Sequence, residues 1–364
     1  MVSRRQFWTR SATLSSTFLL SLSGRANQLP DAETSEHPLA DMVTPEVDRA
    51  VERGLAYMAG SQANDGSFGE RGIYQGNVGV TALGGLAFMA GGYQPGRGKY
   101  GANVLSAIEY ILSKEQRQPI GFLNHPVGPQ QLQMYAHGFG TLFLAEAYGT
   151  IPDTKLQKKV REVLERAVRL IVAAQNTEGG WRYQPTPQLA DVSVTICQIM
   201  ALRAARNVGL TVPKTTVDRC VQYVRGCQNP DGGFSYFRQQ GPSAFARSAA
   251  GVVALYCAGI YQGREIDRGL EYLMAFVPGK PASRRDIPEM HYYYGQYYAA
   301  QAMWTAGGRY WQSWYPAVRD ELLSRGRLRG DGVWIDVTTC NHYASAMSLI
   351  TLQIPNNYLS ILQK

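Results

Sequence analysis

The chain is short of the features that mark several common classes of protein. It has only five cysteines among 364 residues, namely Cys197, Cys220, Cys227, Cys257 and Cys340, and the first four fall in apolar stretches. An odd number in such places argues against a disulfide framework and favours buried free thiols. No basic run with interleaved aromatic residues is present, so nucleic acid is not an expected partner. No proline- or serine-rich linker follows residue 45, which favours one domain.

The first 26 residues resemble an export signal. Residues 3–7 read Ser-Arg-Arg-Gln-Phe, which is similar to the twin-arginine motif, and an apolar stretch follows over 11–22. That stretch is too short and too rich in hydroxyl residues to be a permanent transmembrane helix. We therefore expect a signal over 1–26, a flexible tether over 27–45 and a folded domain over 46–364, in the periplasm or cell envelope. The alternative is a chance arginine pair before a flexible arm.

The predicted signal also accounts for half of the excess positive charge. It carries four arginines and no acid, so the formal charge of +8 for the whole chain falls to +4 without it. This mild excess does not point to a polyanionic partner.

One pattern recurs along the rest of the chain. A glutamine is followed six residues later by an aromatic residue, mostly with an acid and a glycine between them. Clear copies run over Gln62–Phe68, Gln116–Phe122, Gln175–Trp181 and Gln228–Phe234, and a weaker one over Leu328–Trp334. The aromatics are 54, 59, 53 and then 100 residues apart, so one copy has decayed. A period near 50 residues indicates a repeat architecture.

Each signature lies between two predicted helices of different character. An amphipathic helix with one apolar face precedes it, and a nearly all-apolar helix rich in small residues follows. The outer helices are predicted at 47–61, 103–115, 160–174, 216–227, 266–276 and 315–325, and the inner ones at 78–90, 134–148, 192–205, 244–258, 292–306 and 341–353. The sequence thus predicts an all-α fold in which six helix hairpins close into inner and outer barrels of six helices each. An open solenoid is the competing arrangement.

The signatures resemble the prenyltransferase and squalene oxidase repeats of the terpenoid cyclase and protein prenyltransferase superfamily. That resemblance implies an α/α toroid. It is less specific for activity, because this scaffold carries several chemistries and some members with none.

Parallel inner helices would bring their first turns together at one rim of the bore, where free N–H groups and helix dipoles gather. On this rim we predict candidate catalytic residues at Asp191, Arg247 and His291. Capping of a helix is the alternative role for Asp191, because aspartate is a preferred N-cap residue.

The resemblance implies two chemistries for this rim. Class II cyclases protonate an alkene with the middle acid of an Asp-x-Asp-Asp-Thr motif at the start of an inner helix. Residues 191–195 read Asp-Val-Ser-Val-Thr, which keeps the first acid and lacks the other two. A partly solvated Asp191 is expected to be ionised at pH 7, so protonation-initiated cyclisation is disfavoured.

Protein prenyltransferases hold a zinc ion with aspartate, cysteine and histidine. The nearest counterparts here are Asp336, Cys340 and His342, with His291 from the neighbouring unit. These are competent zinc ligands, so zinc is a possible cofactor. Alternatively, Cys340 is a small buried hydrophobe and the histidines are polar tips at the cavity mouth.

The wall of the predicted bore is rich in aromatic residues. Five tyrosines fall within the seven positions 292–298, and Tyr135, His137, Tyr293, Tyr294 and Tyr297 are predicted to face a ligand cavity. Aromatic walls suit long apolar ligands, although such a stripe is also typical of core packing.

Three hypotheses of function follow. The first is an exported toroid that binds an isoprenoid-like or other apolar small molecule in its central cavity, with transferase- or cyclase-like chemistry at the rim. The second is a binding or scaffold protein without catalysis. The third, a carbohydrate-active enzyme, needs two facing carboxylates, whereas Asp191 is the one acid on the predicted rim.

Overall fold

A computed structural model describes residues 42–70, 72–126, 128–279, 291–327 and 332–363. Within these ranges, twelve α-helices alternate between an outer and an inner ring. The outer helices are α1 (Pro45–Ser61), α3 (Gly101–Ser113), α5 (Thr154–Ala174), α7 (Lys214–Gly226), α9 (Arg264–Met274) and α11 (Gly308–Arg327). The inner helices are α2 (Val78–Ala90), α4 (Gln133–Tyr148), α6 (Val192–Asn207), α8 (Phe245–Cys257), α10 (Tyr292–Ala306) and α12 (Asn341–Leu352). The predicted all-α fold of six hairpins is confirmed.

The two rings differ in burial as their sequences differ in pattern. All thirteen residues of α2 are buried, because this inner helix packs on both sides. The outer helix α5 instead buries one apolar stripe from Val160 to Ala174 and leaves its charged residues towards solvent. The apolar pattern therefore decides which ring a helix joins.

The hairpins close into a ring. Each inner helix packs against the next one, and α12 returns to pack against both α2 and α1. Gly54 of α1 lies so close to the last unit that an added Cβ would be 2.7 Å from Leu349 of α12. His342 joins the same units, since its Nδ1 accepts the Gly69 N–H at 3.0 Å and its Nε2 lies 2.8 Å from the Ser61 hydroxyl. The open solenoid is therefore wrong.

Three of the four signature glutamines link their own unit to the next one. Gln175 donates from Nε2 to the carbonyl of Gly179 in its own turn and to that of Thr216 in the first turn of α7. Gln62 and Gln228 make the equivalent pair of bonds. The side-chain amide thus joins its own turn to the first turn of the next outer helix.

A hydroxyl in the inner helix holds four of the five signature aromatics in place. The backbone N–H of Trp181 donates to Thr195 Oγ1 at 3.1 Å, and that hydroxyl donates to the Asp191 carbonyl. Thr81, Ser248 and Ser345 accept the N–H of the corresponding aromatic in the first, fourth and last units. In the first, third and fourth units the turn is therefore fixed to both its own inner helix and the next outer helix.

The second unit departs from this pattern. Its signature forms a small antiparallel hairpin, β1 (Glu115–Arg117) and β2 (Ile120–Leu123), instead of a simple turn. Glu115 was predicted to end the outer helix, but it begins β1 and pairs with Leu123.

The C-terminal residues cross the far end of the inner barrel, where the inner helices end. Ser360 donates its N–H and hydroxyl to Glu146 of α4, and the Leu362 carbonyl accepts from the indole of Trp304 in α10. Asn356 donates to the Ala90 carbonyl at the end of α2. This segment, which the helix pattern left unassigned, covers that end of the barrel.

The predicted signal and most of the predicted tether, residues 1–41, lie outside the described residues. No helix in the part of the chain that is described is both long and apolar enough to cross a bilayer. All five cysteines are buried free thiols, as expected.

Candidate functional site

A cavity of about 540 Å³ lies at the end of the inner barrel where the inner helices begin. Six tyrosines contribute to its wall: Tyr74, Tyr135, Tyr183, Tyr236, Tyr294 and Tyr343. Val80, Leu83 and Phe139 add apolar surface, and Ser193, Arg247 and His291 are among its polar residues. The rim predicted from the helix starts therefore surrounds a cavity whose wall is rich in aromatic residues.

Two of the five residues predicted to face a ligand lie on this wall, namely Tyr135 and Tyr294. The Tyr294 hydroxyl donates to the Ser193 carbonyl at 2.8 Å, which joins α10 to α6 across the bore. Tyr293 does not line the cavity, because it is buried and donates to the Ile335 carbonyl. Tyr297 is also buried below the cavity, where its ring packs against Phe139 and Tyr298.

His137 was wrongly placed on the cavity wall. It is fully buried on the outer side of α4, where Nδ1 accepts the Leu123 N–H at 3.1 Å and Nε2 lies 3.3 Å from the Ala167 carbonyl. These contacts fix the neutral ring with its proton on Nε2. Desolvation lowers the pKa of His137 to about 4, against the hydrogen bond to Ala167, which raises it.

Because burial lowers the pKa of His137, we expect the free energy of unfolding to fall in acid. The folded chain holds the ring neutral, whereas the unfolded chain protonates it below about pH 6.5, so stability is lost as the pH falls through that value. Relative to His137→Gln, whose amide keeps one acceptor and one donor, the wild type should lose about 2 kcal/mol of unfolding free energy between about pH 6.5 and about pH 5. Urea unfolding of both proteins across this range measures the difference, and parallel curves would contradict the assignment.

Asp191 lies directly behind the wall, not in open solvent. It is the N-cap of α6, and its carboxylate accepts the Val194 N–H at 2.9 Å through Oδ1. Its backbone N–H donates to the carbonyl of Trp181, which anchors the loop between signature and helix. Desolvation raises the pKa of Asp191 to about 6, although the hydrogen bonds from Val194 and Tyr236 oppose the rise. The predicted partial solvation was wrong, because the residue is fully buried.

Two tyrosines connect Asp191 to the cavity. The Tyr236 hydroxyl lies 3.2 Å from Asp191 Oδ2, and it also contacts the hydroxyl of Tyr183. Both rings line the cavity. Each tyrosine lies two residues after a signature aromatic, so the pair occupies the same position in consecutive repeats. That shared register is the signal by which the sequence could have revealed them.

Arg247 brings a positive charge to the cavity. Its Nε donates to the Phe234 carbonyl at 3.2 Å and its Nη2 donates to the Pro242 carbonyl at 2.8 Å. Desolvation lowers the pKa of this guanidinium. Among the described residues no carboxylate forms a salt bridge with Arg247. In the part of the chain that the structure describes, backbone carbonyls therefore accept the hydrogen bonds of this guanidinium at the cavity wall.

The four predicted zinc ligands do not assemble into a metal site. Both ring nitrogens of His342 are engaged in closing the toroid, and Asp336 Oδ1 accepts three hydrogen bonds from Thr338 and Thr339. Burial raises the pKa of the Cys340 thiol to about 11, which disfavours the thiolate. The described ranges hold no group of three or more histidine, cysteine or acidic side chains placed to bind a metal ion. His291 instead lies at the cavity mouth, on the exposed side.

Residues 104–276 match the family described as the prenyltransferase alpha-alpha toroid domain. The fold is that of the prenyltransferase-type toroid. The resemblance to the terpenoid cyclase and protein prenyltransferase superfamily is thus confirmed, and solved structures agree with it.

The type II terpene cyclase MstE from Scytonema matches with a TM-score of 0.58 at 13% identity, covering 87% of this chain and 100% of that one. Its complex with geranylgeranyl dihydroxybenzoate matches with the same TM-score of 0.58, at 13% identity over 86% of this chain and 98% of that one. The GH76A α-1,6-mannanase of a Salegentibacter species matches with a TM-score of 0.57 at 10% identity, covering 87% of this chain and 100% of that chain. At these identities the likeness concerns the fold alone.

One curated relative matches in sequence over a short region. An 85-residue segment is 33% identical to the drimenyl diphosphate synthase of Streptantibioticus cattleyicolor, covering 23% of this chain and 15% of that enzyme. The match thus covers only a small part of the length of that enzyme.

Proposed function

We propose that the protein binds an isoprenoid-like or similarly extended apolar molecule in the central cavity. The observation that carries this proposal is the aromatic wall around a volume of about 540 Å³. Sites for small molecules are typically concave, mostly apolar and about 300–1,000 Å³ in volume. The terpene cyclase fold and its substrate-bound example in Scytonema support an apolar chain as the occupant.

The polar end of the ligand is proposed to lie at the rim. Arg247 and the first turns of the inner helices place positive charge and N–H groups there. An oxygen-bearing or anionic head group would therefore be favoured next to Arg247, with the apolar tail among Tyr135, Phe139 and Tyr294.

A cavity-filling substitution tests this placement. Ala246 lines the cavity in the first turn of α8, so Ala246→Trp should abolish the retention of farnesol in native mass spectra. Ala258, at the C-cap of the same helix, is also partly exposed and does not line the cavity, so Ala258→Trp is the matched control and should retain farnesol. Equal retention by both variants would place the ligand elsewhere.

Chemistry at the rim is the finer part of the proposal. Asp191 is buried beside the cavity and its pKa lies near 6, so a neutral carboxyl is accessible at mildly acidic pH. Ser193 lies at the middle-acid position of the cyclase motif and lines the wall. Incubation with farnesyl diphosphate separates the two hypotheses: a product that Asp191→Asn fails to form supports catalysis, whereas unchanged substrate supports a binding or scaffold role.

Carbohydrate chemistry is less well supported. Glycoside hydrolysis ordinarily uses two carboxylates that face each other across the substrate. Among the described residues that line the cavity there is neither aspartate nor glutamate. The likeness to the mannanase therefore carries no matching constellation of acids.

A further inference from the structure

A continuous line of hydrogen-bonding groups leads from a buried acid to the cavity. Asp191 Oδ1 is occupied by the Val194 N–H, so Oδ2 is left to face Tyr236 at 3.2 Å. The Tyr236 hydroxyl contacts the Tyr183 hydroxyl, and both tyrosines line the cavity. Because each hydroxyl carries one proton, the direction in which it donates depends on its neighbour.

We propose that the protonation state of Asp191 sets, through Tyr236 and Tyr183, whether the cavity wall offers its ligand a hydrogen-bond donor or an acceptor. This inference rests on the proposed function, because it concerns the polar end of the same ligand. It assigns Tyr183 as the group that meets that end and Asp191 as the positioning residue behind it.

The two states follow from counting protons. When Asp191 is ionised, Tyr236 donates to Oδ2 and Tyr183 must donate to Tyr236, so Tyr183 presents only lone pairs to the cavity. When Asp191 is protonated at Oδ2, it donates to Tyr236, Tyr236 donates to Tyr183, and the Tyr183 O–H is free to point into the cavity. The protonated state holds one more proton, which is taken up from solvent at the lower pH. Each tyrosine keeps one hydroxyl proton, and both hydrogen bonds of the chain reverse their direction together.

The surroundings leave Asp191 as the group that titrates. The titratable groups that interact electrostatically with it include Tyr135, Tyr223, Tyr236, Tyr294, Cys197 and Cys227, and burial raises the pKa of each of them. They stay neutral from acidic to mildly alkaline pH. Arg182 is the cation that opposes protonation of Asp191, while desolvation is the larger effect and favours it. The reversal is thus expected near pH 6.

The state of Asp191 therefore selects among ligands by their polar end. A ketone accepts hydrogen bonds but cannot donate, so it should bind best when Tyr183 donates, which is the acidic state. A hydrocarbon of similar length does neither, so its binding should not depend on this chain. The gain of one hydrogen bond between neutral groups corresponds to about 3- to 10-fold in affinity.

The experiment compares geranylacetone with farnesene, by titration calorimetry on the purified protein at about pH 5 and about pH 8. Geranylacetone should bind about 3- to 10-fold more tightly at the lower pH, and farnesene should bind equally at both. Asp191→Asn keeps an acceptor for Val194 and donates from its amide to Tyr236, so it should hold the tight state at both pH values. Tyr183→Phe should bind the ketone weakly at both.

The outcomes separate the two proposals. If both probes bind to the wild type but the affinity for the ketone does not change with pH, the inference is wrong and the proposed ligand site is still supported. An Asp191→Asn protein that binds the ketone weakly at both pH values would also overturn it, provided that its thermal unfolding matches the wild type. Failure of both probes to bind at either pH would reject the ligand site itself and the inference with it.

Discussion

Replacing Gly179 by alanine should lower the free energy of unfolding by about 4 kcal/mol. Gly179 has a φ of +101°, and an added Cβ would lie 2.1 Å from the carbonyl oxygen of Arg219 in the next outer helix. The substitution therefore adds backbone strain to a clash with main-chain atoms that cannot rotate away. It should also move the signature turn off α7, where Gln175 makes its second hydrogen bond. Urea unfolding followed by circular dichroism measures the loss.

Gly209 provides the matched control. It also has a positive φ, +78°, but an added Cβ would meet nothing within 4 Å. Gly209→Ala should cost only the strain of the left-handed conformation, about 1 kcal/mol. The difference between the two variants isolates the close approach of the turn to the next hairpin. Equal losses would show that the signature glycine serves its own turn and not the joint between units.

Replacing Arg247 by alanine should weaken the binding of farnesyl diphosphate by about 100-fold. The guanidinium is half-buried at the cavity, with backbone carbonyls as its hydrogen-bond acceptors, so an anionic head group would gain a charge-assisted bond there. The affinity for farnesol, which has the same tail and no charge, should change much less. The ratio of the two affinities therefore measures the contribution of Arg247 to the head group.

Arg238→Ala is the control for net charge. Arg238 is exposed on the loop before α8 and does not line the cavity, so its removal changes the total charge by the same amount. It should leave both affinities near their wild-type values. A comparable loss in both variants would indicate general attraction of the diphosphate, and an unchanged affinity in Arg247→Ala would remove the proposed head-group site.

The fold could be predicted because its determinants are local and repeat. The nearly all-apolar inner helices α2 and α10 have the bounds that their sequences predict, 78–90 and 292–306. The start of α11 was predicted at residue 315 from the apolar pattern alone. The helix begins at Gly308 instead, and Pro316 lies inside it. One boundary was thus missed by seven residues, and the order of helices was not affected.

The site was predicted less well, because a rim position does not say which way a side chain points. Tyr135 faces the cavity, whereas His137, two residues later and about 200° around the helix, binds an outer helix. His342 was predicted from its residue type as a metal ligand, but it closes the ring between the first and last units. Periodicity fixes where a helix begins, and only the assembled ring fixes which face of each first turn is inside.

The tyrosines that complete the site were missed for a different reason. Tyr183 and Tyr236 lie in loops after the signatures, where no helical period applies. Alignment of the repeats would have paired them, because both lie two residues beyond the aromatic. The burial of Asp191 depends on these loops and on Tyr236, so its pKa could not be predicted from its place at a helix start.

A crystal structure of the protein soaked with farnesyl diphosphate tests the central claim most directly. We expect the isoprenoid tail to lie among Tyr135, Phe139 and Tyr294, and the diphosphate to lie within hydrogen-bonding distance of Arg247. A ligand bound outside the ring of inner helices, or a cavity that stays free of it at saturating concentration, would contradict the account.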